Sequence, residues 1–158
     1  MAVSTETIEF LKKAPLFEKV TPDQMQDISQ IGEEVTFTMG ERLIHQDGLT
    51  DALYVIVHGR VAIEIEDVSN IGERGPKSVL GELAMITNTP RNANCTAVTE
   101  VTAVKFKHEQ FWKFVQKSPE LAIGLLTEVI FHLDETIDSL YWMSRELRDA
   151  RAALDNLK

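Results

Sequence analysis

A mostly-β sandwich or roll, entered and left through helices, is the fold class this sequence predicts. Between residues 34 and 104 the chain is a series of short β-prone runs separated by turn residues, spaced as in a sandwich or jelly roll. No strand–helix–strand unit interrupts them, and no glycine-rich loop of the Rossmann or Walker kind is present. The C-terminal stretch instead repeats leucine every seven residues, the mark of a long helix with a coiled-coil seam.

Each element has a local reason. Residues 5–13 read as a short helix stopped by Ala14-Pro15. A second helix begins with Thr21 as cap, Pro22 at the first helical position and Gln24 closing a capping box. Its stripe is Met25, Ile28 and Ile31, and Gly32 ends it. Strands are expected at 35–37, 42–44, 53–57, 60–66 and 95–106, with breaks at Gly40, Asp47-Gly48, His58-Gly59 and 70–76. Residues 107–117, with Phe111, Trp112, Phe114 and Val115, form an amphipathic helix. Ser118-Pro119-Glu120 then restarts the chain with a cap and a proline at the first turn. From there Leu126, Leu133, Leu140, Leu147 and Leu154 form the seam, with Ile130 and Ile137 at the companion position. Ser144, Arg151 and Lys158 occupy that companion position later, so the seam weakens toward its end. A helix of this length cannot bury its stripe on one small domain, and a parallel homodimer is the economical answer.

Composition narrows the function. The net charge of -9, from 25 acidic and 16 basic residues, argues against nucleic-acid binding by this chain alone. No stretch reads as a signal peptide or membrane span, which makes a cytoplasmic location the expectation. One cysteine, Cys95, excludes a disulfide framework and a Cys-based zinc site, and its strand position points it into the core. His45, His58, His108 and His132 are scattered, so no metal site is expected. A hydrolase elbow is absent too; the chain is not read as an enzyme, and no cofactor is expected.

The most informative stretch is 81–97, GELAMITNTPRNANCTA. It places Gly81-Glu82 at the start of a short hydrophobic turn and Arg91 nine residues after the glutamate, followed by Ala93 and a strand. Backbone amides and a guanidinium suit a phosphate, whereas a carboxylate suits a hydroxyl. One small anion with a sugar attached would use both. A structural Arg91–Glu82 salt bridge in a pocket without ligand is the alternative.

Together with FLKKAPLFEKV at 10–20, MGERLIHQDGLTDALYVIVHGRVAI at 39–63 and FKHEQFWKFVQKSPELAIGLL at 106–126, this stretch resembles the cyclic-nucleotide-binding domain family. That family includes catabolite-activator-type regulators, regulatory subunits of cyclic-AMP-dependent kinase and cyclic-nucleotide-gated channels. The resemblance covers roughly 8–140. It implies a mostly-β jelly-roll (double-stranded β-helix) core with short N-terminal helices and a long C-terminal dimerisation helix. The corresponding division is a nucleotide-binding roll at 5–118 and the helix at 119–158.

The resemblance also implies roles. Gly81, Glu82 and Leu83 would bind the ribose, and Arg91, Asn92, Ala93 and Ala84 the cyclic phosphate. Base contacts would come from Asn92 and from the long helix near 136–141, where Ile137, Asp138 and Tyr141 are candidates. Tyr54 and Val61 read as roll-interior residues, and Gly40 and Gly59 resemble structural glycines. Lys77-Ser78 stands where a Gly-Asp turn is usual, Leu80 replaces a common aromatic, and Asn92 and Asn94 occupy positions often small or hydroxylated. The implied ligand is cyclic AMP, with cyclic GMP the alternative. The implied function is a sensor passing binding through its C-terminal helix to an effector protein. A nucleotide-free dimerisation or interaction domain is the runner-up. The regulatory part of a transcription factor, whose helix-turn-helix would follow the long helix, is compatible with either.

Overall fold

Several helix starts form where the sequence provides a side-chain cap. The structure, a computed structural model, describes residues 1–49, 51–66 and 69–156, with only the backbone of Ser69; Lys158 of the seam lies outside them. Ser4 accepts the Thr7 amide at 3.2 Å to open α1 (Thr5–Leu11), and a 3-10 turn follows at Pro15–Phe17. The capping box of α2 (Pro22–Ile31) is complete: Thr21 Oγ1 accepts from the Gln24 amide, and Gln24 Oε1 accepts from the Thr21 amide.

The β region folds as two antiparallel four-stranded sheets. One is ordered β1 (Gly32–Phe37), β8 (Val101–Lys107), β3 (Ala52–His58), β6 (Val79–Leu80). The other is β2 (Arg42–Ile44), β7 (Asn94–Ala97), β4 (Val61–Ile65), β5 (Ser69–Arg74). Strands β3 and β8 are buried on both faces, so their alternation sorts side chains between two cores. Leu53, Val55, Val104 and Phe106 join the helices, packing with Phe17, Met25 and Phe111. Ala52, Tyr54, Ile56, Val101 and Ala103 fill the roll interior with Val61 and Cys95. The jelly-roll architecture expected from the sequence is present, with Tyr54, Val61 and Cys95 buried in it.

Three readings of the β region are corrected. The stretch 70–76 is not a simple break, because β5 pairs with β4 across it. The run 95–106 is two strands in different sheets, β7 and β8, separated by a bend at 98–100 that lacks glycine and proline. Strand β6 was not anticipated; it is two residues long, too short for an alternation pattern, and is held through Tyr54↔Leu80 and Val55↔Val79. Gly40 and Gly59 take left-handed φ of 90° and 88°, as expected of turn glycines.

After β8, α4 (His108–Val115) buries Phe111 and Val115, and Ser118 accepts the Leu121 amide at 3.2 Å to start α5 (Pro119–Asp155). Contacts divide the chain into Met1–Glu128 and Val129–Lys158. In the first unit, Leu121 and Leu125 are buried, and Gly124 lets the helix lie on the 3-10 turn. A Cβ at that glycine would stand 2.0 Å from the Leu16 carbonyl oxygen. In the second unit the seam residues Ile130, Leu133, Ile137, Leu140, Leu147 and Leu154 are between 49% and 72% exposed in the single chain. Among the described residues no helix is long and apolar enough to cross a membrane.

Candidate functional site

Strand β6 ends in a turn that only glycine can make. Gly81 has φ 89°, and a Cβ there would fall 2.1 Å from Arg91 Nη1 and 3.1 Å from the Ala52 carbonyl oxygen. The turn opens α3 (Glu82–Thr87), where the Met85 amide donates back to the Gly81 carbonyl at 3.3 Å. Glu82 and Ala84 are buried, at 4% and 3% exposure, whereas Leu83 faces outward. Asn88, with φ 52°, ends the helix and lets the chain return toward β6.

The return delivers Arg91, which is only 4% exposed. Its guanidinium donates from Nη1 to the Gly81 carbonyl at 3.0 Å and from Nη2 to the Ala52 carbonyl. Asp51 Oδ1 lies 3.6 Å from Nη2, and Asp51 Oδ2 lies 3.9 Å from Lys105 Nζ. The main chain of Arg91 is fixed as well: its N–H donates to the Gly48 carbonyl, and its carbonyl accepts the Asp47 amide at 2.9 Å. A guanidinium has five N–H donors, so these contacts orient the fork without exhausting it. Beyond Arg91, Asn92 is exposed, Ala93 is half-buried and Asn94 is buried.

Two neighbouring groups register this environment. Burial pushes the Cys95 thiol up to about 12, with the Glu82 carboxylate adding to the rise and Arg91 opposing it. Tyr54 is also raised, by burial first and then by Asp51, and Lys105 stands 5.9 Å from its ring centroid. A cavity of about 330 Å³ lies against the β2–β3 turn, where Leu43, Leu49, Asp51 and Tyr54 meet Arg91. Arg91 is thus a wall shared by that cavity and the α3 turn.

Gly81, Glu82, Ala84 and Arg91 are therefore brought together, with Asn92 and Ala93 on the same segment. Ile137, Asp138 and Tyr141 belong to the unit Val129–Lys158, each exposed on the helix. Sequence reasoning missed Asp51, the Ala52 carbonyl and the turn 46–48. They lie some forty residues before Arg91, and no spacing rule joins them; the Asp beside an apolar strand start was the only visible trace.

A buried guanidinium is thus tied to a glycine turn, beside a buried carboxylate, within an antiparallel roll. The profile described as Cyclic nucleotide-binding domain matches residues 34–118, more than half the chain, and the chain belongs to that family. It is 28% identical over 138 residues to a CRP-like cAMP-activated global transcriptional regulator of Mycobacterium tuberculosis, covering 84% of this chain and 61% of that protein. The N-terminal domain of a transcriptional regulator from Streptomyces coelicolor A3(2) superposes with TM-score 0.64 at 30% identity, over 82% of this chain and 93% of that one. The Thermus thermophilus catabolite activator protein shares the fold, with TM-score 0.71 and 21% identity, over 83% of this chain and 63% of that one. The Mycobacterium tuberculosis and Streptomyces coelicolor relatives are transcriptional regulators rather than enzymes.

Proposed function

We propose that this domain is a sensor that binds a cyclic nucleoside monophosphate, cyclic AMP in the first place. Arg91 holds the cyclic phosphate with the backbone near Ala84, Asn92 and Ala93. Glu82, with Gly81 and Leu83, takes the ribose. The observation that carries the reading is the buried Arg91 fork, fixed on the Gly81 carbonyl next to buried Glu82. A phosphodiester stays charged near pH 7, and burying it requires a paired cation with directional donors, which arginine supplies better than lysine. The name of the Mycobacterium tuberculosis relative favours cyclic AMP over cyclic GMP. Asn92, Ile137, Asp138 and Tyr141 are the proposed base contacts. The roll at 5–118 is the sensing part, and the helix at 119–158 forms a parallel homodimer and passes the signal to an effector protein.

A second reading rests on one observation. Arg91 already bonds two carbonyls and pairs with Asp51, as an arginine with a purely structural role would. The domain would then be a nucleotide-free interaction module. Calorimetric titration with cyclic AMP and cyclic GMP, beside Arg91→Ala, separates the two. The sensor reading expects saturable binding that Arg91→Ala weakens by about 2–5 kcal/mol, roughly thirty- to several-thousand-fold. No binding of either nucleotide to the wild-type protein would leave the interaction module standing.

A further inference from the structure

The residue after Ala93 is an asparagine only 5% exposed, and the proposed ligand contacts do not include it. Asn94 Oδ1 accepts the Gln46 amide at 2.8 Å, and Gln46 Oε1 accepts the Glu66 amide at 2.9 Å. One residue further along, the Asp47 amide donates to the Arg91 carbonyl at 2.9 Å, and the Arg91 amide donates to the Gly48 carbonyl at 3.3 Å. Among the described residues, the β2–β3 turn is thus laced to the arginine segment by three bonds, of which Asn94 supplies the one made by a side chain. The turn needs that support, because Asp47 sits in the left-handed region at φ 60° and the Gly48 amide closes on the His45 carbonyl at 3.0 Å. The root of the Arg91 side chain is therefore set by how firmly 46–48 grips 91–94. A small rotation there is magnified at the far end of the guanidinium.

We propose that Asn94 is the positioning residue for Arg91, clamping its main chain so that the fork meets the ligand's anionic group in one orientation. The inference rests on reading the site as a cyclic-nucleotide pocket. It predicts that the benefit of Asn94 depends on a directional partner at position 91. A lysine there acts as a point charge and gains little from the clamp.

The test is a double-mutant cycle with cyclic AMP, or with cyclic GMP where that binds more tightly, using Asn94→Ala, Arg91→Lys and the double variant. Asn94→Ala should weaken binding about tenfold with Arg91 present, the scale of one lost buried hydrogen bond. In the Arg91→Lys background the same change should cost no more than about threefold. Amide hydrogen exchange should quicken at Asp47 and Arg91 in Asn94→Ala, while β8 amides stay protected. Wild-type-like affinity of Asn94→Ala, or equal losses in both backgrounds, would overturn the positioning role. Failure of the wild-type protein to bind any cyclic nucleotide overturns it together with the reading of the pocket, and that outcome is visible before any variant is made.

Discussion

Lys77 and Cys95 show what single positions do against the grain of their chemistry. The turn at 75–78 closes through the Ser78 amide and the Gly75 carbonyl at 3.1 Å, with Pro76 second and Lys77 third at φ 74°. That is a type II turn, whose third residue is ordinarily glycine. A left-handed non-glycine residue costs about 1–2 kcal/mol, and glycine returns part of that through unfolded-state entropy. Lys77→Gly should therefore stabilise the fold by roughly 0.5–1 kcal/mol, read from urea unfolding. A loss of stability would mean that the lysine side chain does more than tolerate the turn. Cys95 works through pH. Its folded-state pKa of about 12 lies above the ordinary 9.0. Its contribution is therefore fully present below about pH 9 and is lost as pH rises toward about 12. Over that window stability should fall by about 1.4 kcal/mol per pH unit. Comparing the wild type with Cys95→Ala at pH 8 and pH 10 isolates it, because only the wild type carries this slope. Two charged members of the candidate site, Glu82 and Arg91, were legible in sequence, because an apolar turn does not explain them; Asp51 was not. The backbone partners of Arg91 at Ala52 and Gly48 were equally hidden, since a carbonyl has no signature in sequence.

Gly124 carries the argument at the scale of elements. A glycine inside a helix ordinarily weakens it, and alanine is the better helix former. Here the helix approaches the 3-10 turn so closely that a Cβ would stand 2.0 Å from the Leu16 carbonyl oxygen. Gly124→Ala should consequently destabilise the protein by about 1–3 kcal/mol, the usual scale of overpacking. A thermal melt checks it, and a stabilised variant would show that α5 shifts freely off Leu16. Elements with explicit punctuation were read correctly from sequence. The Thr21-Pro22-Gln24 start and the Ser118-Pro119 restart carry caps whose hydrogen bonds form as expected. Elements without punctuation, and a strand that carries turn residues inside it, were misread. The bend at 98–100 has only Val, Thr and Glu, so β7 and β8 ran together. It is made by tertiary bonds, the Val98 amide to the Arg60 carbonyl and the Arg60 amide to Thr99 Oγ1. Strand β5 contains Gly72 and Asn70, residues of turns, and its pairing with β4 overrides their propensity.

For the whole molecule, the seam of α5 decides whether the functional unit is one chain or two. Ile130, Leu133, Ile137, Leu140, Leu147 and Leu154 are exposed in the single chain, an apolar stripe of the kind that soluble monomers rarely leave uncovered. The core of the first unit is formed by residues up to Leu125, so a change in the later seam leaves that core intact. Leu140→Asp should therefore convert a dimer into a folded monomer, as measured by sedimentation equilibrium with circular dichroism as the control. Orientation is a separate matter. In a parallel pair, equivalent seam positions face each other, whereas in an antiparallel pair a residue far from the centre of the overlap lies many turns from its equivalent. Ile130 is near the start of the seam, and the native thiol, Cys95, is buried. Ile130→Cys should give a disulfide-linked dimer under mild oxidation if the helices run parallel, with the cross-link lost in the Ile130→Cys, Leu140→Asp double variant. A dimer in solution without that cross-link would reverse the orientation.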